Sequence, residues 1–578
     1  MPKITLFVFI ILLFVTISFG QINQPNLSKN LDSYLKQAAD FGFAGVVLVA
    51  VDGKITFQKS YGMADQDKKI PNNITTVFDI GSISKQFTAA AIVKLEMQGK
   101  LKTDDSITKY LEGVPEDKAQ VTIHQLLTHT AGFPEYSGGD YEKSERDETI
   151  ARILKVPLAF KPDSAYSYSN AGYSVLAAII EKVSGQNYES FLNENLFKPV
   201  RMTQTGYVIP KFDKATLPHG YVLGKDQKTP LDHLWSEQGP YWNLMGNGAI
   251  LSTAEDLFKW YQALLDTMIF SVEAKKKMFT PNLNNYGYGW DIGQTNYGQT
   301  IGHNGGNDFG FTAHLRWFPE KKVCVIVLSN SGYYFDDYNY SNMVGKKITG
   351  LIFGEKIPSQ QTVKFTKQNP QNLKNFEGTY TLPSGEMIEI KEKLGQLFAF
   401  SIGQDATNLL SQTALNPIFE EACKKSNDIL QGMVKKDFLI FKTAIEKEDV
   451  AARYQTYLEK KMQEWETKEG AFKGFQILGT VFDWWGDNST PITFVKMNYE
   501  KKPHLFRFHW KDGKIIAIGG EGIPNPGMTP LQSISPNEFA GWHLSFAKPI
   551  RIKLKQAPNN KTVMTIIANG KTVEAIKN

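Results

Sequence analysis

Two cysteines in 578 residues leave no material for a disulfide framework. Cys324 lies in KKVCVIVLSN, which reads as a buried strand, and Cys423 lies in EEACKKSND in a different region, so a bond between them is not expected. CxxC, HExxH, EF-hand and P-loop motifs are all missing, which sets metal and nucleotide chemistry aside: neither a metal site nor a cofactor is expected. His124 and His129 stand five apart, the wrong spacing for a metal pair on one helix face, and His129 reads as structural. G-x-S-x-G is also missing, which excludes the nucleophile elbow of an α/β-hydrolase. Charge of either sign is scarce in excess, with 64 basic against 59 acidic side chains and no long basic run, so nucleic acid is not an expected partner. Internal repeats and low-complexity segments are lacking too.

Long apolar runs are equally rare. The one at the N-terminus, MPKITLFVFIILLFVTISFG, carries Lys3, stays apolar to about Phe19, and ends with Ser18 and Gly20 at the positions a signal peptidase reads. Residues 1–20 are therefore expected to be a signal peptide cut before Gln21. The run is shorter than a comfortable span of about 20 residues. With no cysteine following, a lipid anchor is disfavoured, and the expected location is secreted or periplasmic, with no stable membrane span after cleavage.

What is present is an ordinary globular composition, 42% hydrophobic and 21% charged, in a chain long enough for two to four domains. GVVLVAVDGKITFQKSYG reads as two strands joined by Asp52-Gly53. Residues from about 103 to 280 read as mostly helical, and strands return in GQTIGHNGGNDFGFTAHLRWFPEKKVCVIVLSN. Strands at both ends of a helical middle imply one antiparallel sheet built from both ends of a domain. After residue 355 the polar KIPSQQTVKFTKQNPQN reads as a linker. Short alternating strands follow, then charged helices to about residue 470, then strands to the end. The run LEKKMQEWETKEG reads as a solvated helix face, and His504 and His509 in HLFRFHW as strand-surface residues.

Chemistry concentrates in three places. In Ser82-Ile83-Ser84-Lys85 the i, i+3 spacing puts a hydroxyl and an amine on one helix face, at the end where free N–H groups and the helix dipole favour negative charge. Burial would keep Lys85 neutral and able to take the serine proton, although S-x-x-K alone also fits a solvated lysine. Tyr168-Ser169-Asn170 precedes a helix; tyrosine can relay a proton and asparagine can hold a substrate carbonyl, while alone the triplet also fits a capped turn. Gly302-His303-Asn304-Gly305-Gly306 falls on a strand, where glycines let a substrate backbone approach.

In this order the three elements resemble the penicillin-recognising serine hydrolases of the class C β-lactamase-like branch, which includes D,D-peptidases, D-aminopeptidases and esterases. LLTHTAGFP at 126–134, GNGAILSTAEDLFKW at 246–260 and NYGYGW at 285–290 are similar as well, so the resemblance covers about residues 30–350. It implies an α/β (α+β) fold, with an antiparallel sheet flanked by helices and a helical subdomain. It further implies Ser82 as acylated nucleophile, Lys85 as its activating partner, Tyr168 as general acid/base, and Asn170, His303, Gly305 and Gly306 as substrate-binding positions. The backbone N–H groups of Ser82 and Gly306 would form the oxyanion hole, and the resemblance leaves open whether Lys85 or Tyr168 takes the first proton. Class C β-lactamases carry lysine where this chain has His303, which points toward a peptide, amide or ester substrate and away from efficient β-lactam turnover.

The region after 370 resembles the lipocalin-like barrel that follows such catalytic domains. The expected layout is a catalytic domain over 22–355, a linker over 356–374, a barrel from 375–419 and 523–578, and an inserted cystatin-like α+β domain over 420–522. The expected activity is that of an exported serine hydrolase on a small-molecule or peptide substrate. The alternatives are an inactive peptidoglycan- or peptide-binding protein, or a weak β-lactamase; a homo-oligomer stays open.

Overall fold

The computed structural model describes residues 26–578 apart from 137, 223, 234–235, 238, 333–338, 356–364, 367–369, 394, 414, 483–489, 520–526, 543–548, 557–560 and 569. The expected signal peptide and most of the expected linker lie outside the described residues.

Asp52 and Gly53, with φ of 50° and 73°, make the tight left-handed turn that folds Gly45–Val51 onto Lys54–Tyr61. The other edge of Gly45–Val51 pairs antiparallel with Val323–Ser329, so residues nearly 280 apart in sequence become neighbours and close the domain. The six-stranded antiparallel sheet continues through Thr312–Phe318, Gly298–Gly306 and Asp291–Thr295. GVVLVAV lacks polar alternation because both faces are covered. Val46, Leu48 and Ala50 face the larger core, where the helices Ser84–Met97, Asn170–Ser184 and Ala254–Leu265 pack. Val47 and Val49 face a second core under the helices Leu27–Asp40 and Tyr340–Ile352. Ser84–Met97 is buried on nearly every side, as its run of small and apolar residues requires.

Eight strands after residue 377 close into a barrel, in the order Gly378–Thr381, Met387–Lys393, Gln396–Ile402, Thr529–Ser535, Glu538–Gly541, Ile550–Gln556, Thr562–Ala568 and Lys571–Lys577. Alternate residues such as Ile388, Ile390, Ile552, Leu554, Met564 and Ile566 fill its interior. Between the third and fourth barrel strands the chain makes an α+β excursion, with helices Pro417–Val434 and Glu448–Glu469 against a four-stranded sheet running from Phe472 to Gly519. The fold class expected from the sequence is therefore the observed one. Directly after the third barrel strand the helix Gln404–Ser411 packs on the barrel, with Ala406 and Leu410 in its core. Its N-terminus is capped by Glu386 from a neighbouring hairpin, which accepts from the N–H groups of Gln404 at 3.0 Å and Ala406 at 2.9 Å, a long-range cap that no local spacing displays.

One surface assignment changes. His504 is buried and stacks on Trp465 with ring centroids 4.8 Å apart, because the even-numbered positions of His504–Lys511 face the helical side of the sheet, where they share a core with the helices Pro417–Val434 and Glu448–Glu469. His509 falls on the other face and is only partly covered.

The barrel is not an independent bead. Phe398, Phe400, Met528, Ala540 and Trp542 join the second core, and Trp542 meets Tyr34 and Phe41 edge-on at centroid separations of 5.8 and 5.3 Å. Truncating the chain after residue 355 would uncover those rings, so the shortened protein is expected to melt earlier and to aggregate. In the full chain, Trp542→Ala is expected to cost about 3–5 kcal/mol, read from urea unfolding. Unchanged melting of both variants would contradict this coupling.

Candidate active site

Gly81–Ile83 forms a single 3-10 turn that feeds the helix Ser84–Met97. Ser82 is partly exposed on this turn, while Lys85, in the first helical turn, is fully buried. Three oxygens surround the Lys85 amine: Ser82 Oγ at 3.2 Å, Asn170 Oδ1 at 2.6 Å and the Asn247 carbonyl at 2.7 Å. Burial pulls Lys85 down to about 7, against the opposing pull of Asp140 and Glu135. Near neutral pH a large fraction of this lysine therefore carries a free lone pair.

The second element is placed by a helix cap. Ser169 Oγ accepts from the Gly172 N–H at 2.9 Å, and the Glu135 carbonyl accepts from the N–H of Asn170 at 3.0 Å. The cap turns Asn170 inward to Lys85 and leaves the Tyr168 hydroxyl beside the Ser82 side chain. The Tyr168 ring lies 4.7 Å from the lysine amine. Burial holds the Tyr168 hydroxyl well above its ordinary range, so it is a protonated phenol at neutral pH. His129 supports it from behind: its Nδ1 accepts from the Ser169 N–H at 3.0 Å, and its ring packs 4.4 Å from Tyr168 and 4.7 Å from Tyr286.

The third element is the strand Gly298–Gly306. His303 is buried, its Nδ1 lies 2.6 Å from the Asn304 carbonyl, and its Nε2 lies 2.9 Å from the Tyr286 hydroxyl. A carbonyl can only accept, so the proton sits on Nδ1 and Nε2 accepts from Tyr286. Burial lowers His303 below its usual value, and the ring is neutral. The Asn304 side chain turns to the other face of the sheet and meets His314 at 2.7 Å. Gly305 and Gly306 touch the turn that carries Ser82: a Cβ on Gly305 would collide with the Ile80 carbonyl, and one on Gly81 (φ 51°) with the Gly306 N–H.

All seven residues singled out from the sequence thus meet in one place: Ser82, Lys85, Tyr168 and Asn170 by contact, His303, Gly305 and Gly306 as the facing strand. Sequence reasoning left out Asn247 and Tyr286, which sit in the quoted stretches GNGAILS and NYGYGW without an assigned part, and also Asp79 and Asn307. Glu135, Asp140 and Asp308 were missed as well. Burial raises all three, Asp140 to about 6 with Asp308 reinforcing the shift.

Among the described residues no group of histidines, cysteines and carboxylates is arranged to hold a metal ion. A Beta-lactamase family model matches residues 31–347. The chain belongs to the Beta-lactamase family. It is 28% identical over 456 residues to penicillin-binding protein 4* of Bacillus subtilis (strain 168), covering 74% of this chain and 100% of that protein. A putative penicillin-binding protein of the same organism, PbpX, is 33% identical over 313 residues, covering 54% of this chain and 75% of its own length. The octameric penicillin-binding protein homologue from Pyrococcus abyssi shares the fold across 95% of this chain and 99% of its own, with a TM-score of 0.52 at 22% identity. The D-amino acid amidase from Ochrobactrum anthropi SV3 shares it over 57% of this chain and 97% of its own, with a TM-score of 0.50 at 23% identity.

If Lys85 must be neutral to act, acylation of Ser82 should accelerate as pH rises through about 7 and level off above it. Fluorophosphonate labelling rates measured from pH 5 to 9 check this. Tyr168→Phe should lower the plateau by about 100-fold or more while leaving the midpoint in place. A rate flat across that range would remove Lys85 from the base position.

Proposed function

We propose that this protein is an exported serine hydrolase that forms an acyl-enzyme on Ser82 and acts on a peptide, amide or ester, in the manner of a D,D-peptidase, D-aminopeptidase or esterase. The observation that carries the reading is the convergence on one hydroxyl of the Lys85 amine, at 3.2 Å, and the Tyr168 phenol. Neutral Lys85 takes the proton from Ser82 Oγ as the oxygen attacks the substrate carbonyl. The N–H groups of Ser82 and Gly306 hold the oxyanion that forms. Tyr168, kept protonated by burial, gives its proton to the departing amine or alcohol and regains one from Lys85. Water then cleaves the ester by the reverse route, so the proton balance closes. Asn170, with its oxygen engaged by Lys85, offers its NH₂ to a substrate carbonyl, and Gly305 leaves room for a substrate backbone.

The electrostatics bear on the substrate. Neutral His303 supplies no fixed positive charge for a carboxylate, and the side chains that act on the Lys85 amine are the carboxyls of Asp140 and Glu135. Dedicated β-lactam hydrolysis, which needs such a cation, is disfavoured. The N-terminal apolar run, together with kinship to penicillin-binding proteins, supports action outside the cytoplasm.

A fluorescent penicillin and a fluorophosphonate should label the wild type, and Ser82→Ala should abolish labelling by either. In a parallel panel of D-amino-acid amides, D-Ala-D-Ala peptides, short acyl esters and β-lactams, the first three classes should give the larger kcat/KM. A wild type unlabelled by both probes and inert to the panel would leave a binding protein instead, and fast penicillin turnover would reverse the substrate reading.

A further inference from the structure

Asp79 is a buried carboxylate, 4% exposed, on the two-residue strand Phe78–Asp79 that pairs with Leu251–Ser252. Its Oδ1 accepts from the Gly81 N–H at 2.7 Å, in the turn that carries Ser82. Its Oδ2 accepts from Asn307 Nδ2 at 2.9 Å, in the residue that follows Gly306. Asn307 in turn is fixed by its own oxygen, which accepts from the N–H groups of Phe309 at 3.0 Å and Phe311 at 3.1 Å. One carboxylate therefore has one oxygen on each of the two backbone segments that come into contact at Gly81 and Gly305–Gly306.

We infer that Asp79 is a positioning residue that clamps the nucleophile's turn to the end of the facing strand and so sets the spacing of the Ser82 and Gly306 N–H groups. The inference rests on the reading of Ser82 as nucleophile and of those two N–H groups as oxyanion donors. Asp79 touches neither substrate nor the reacting atoms; it acts through Gly81 and Asn307. Donor spacing matters most when the carbonyl oxygen has become an oxyanion, so the clamp belongs to kcat more than to KM.

The donor and acceptor pattern makes this testable by exchange. In Asp79→Asn the new amide can satisfy Gly81 with its oxygen, but then its NH₂ faces the NH₂ of Asn307. Turning Asn307 over relieves that clash only by setting its NH₂ against the N–H groups of Phe309 and Phe311. Asp79→Asn combined with Asn307→Asp restores every pairing: residue 79 accepts from Gly81 and donates to residue 307, whose carboxylate also accepts from Phe309 and Phe311.

The experiment measures kcat and KM on a chromogenic ester for the wild type, Asp79→Asn, Asn307→Asp and the exchange pair, with the melting temperature of each. Asp79→Asn is expected to lose about 100-fold in kcat with KM changed by no more than about twofold. The exchange pair should recover kcat to within about fivefold of wild type. Wild-type kcat in Asp79→Asn overturns the inference, and so does a folded exchange pair that stays as slow as the single variant. Should Asp79→Asn fail to fold, the exchange pair decides alone, since restored pairing must restore both folding and rate. Fluorophosphonate labelling of Ser82 in the wild type separates the two layers: a wild type without the adduct fails the nucleophile reading, whereas a labelled wild type with an indifferent Asp79 fails only the clamp.

Discussion

A lysine amine taken wholly out of water must find its partners inside the protein or surrender its charge. Lys85 does both, and the arrangement of the catalytic domain follows from it. Its three oxygen partners come from the turn before its own helix, from the N-terminus of Asn170–Ser184 and from the loop at Asn247. Those segments are brought together by the larger core, in which Ser84–Met97 is the central, almost wholly buried helix. The same burial that lowers Lys85 toward neutrality raises Tyr168, so one dry environment leaves a largely neutral amine and a protonated phenol beside Ser82.

The facing strand contributes shape more than charge. His303 is neutral, with both ring nitrogens engaged, and the glycines after it allow backbone to lie on backbone at Ile80–Ser82. Such a seam has no side chains to interlock. Its register depends on hydrogen bonds across it, and the buried Asp79 supplies two of them, accepting from the Gly81 N–H and from the Asn307 side chain. The C-terminal barrel works from the other side of the sheet: Trp542, wedged against Tyr34 and Phe41, covers the second core, which lies behind the strands and away from Ser82.

Much of the molecule was legible in the sequence because its signals are local. The Asp52-Gly53 hairpin, the capped helix at Ser169 and the i, i+3 pair of Ser82 and Lys85 each depend on residues a few positions apart. Asp79, Asn247, Tyr286 and Asn307 were not legible, because each matters through a partner far away in the chain or on another strand. Nothing in GNGAILS announces that the Asn247 carbonyl, and not its side chain, is what Lys85 meets. His504 was misjudged for a similar reason: the alternation in HLFRFHW is plain, but which face meets a helix depends on a segment some forty residues upstream.

The sequence by itself determined the family, the antiparallel sheet built from both ends of a domain, and the residue types that gather around the serine. It did so because those choices are written in short-range spacing and in the order of three motifs. Tertiary structure alone decided the protonation of Lys85, Tyr168 and His303, the side of the strand to which Asn304 turns, and the carboxylate that holds the seam. Each of these depends on burial and on partners from distant segments, and burial is a property that no single stretch of chain possesses until the rest has folded around it.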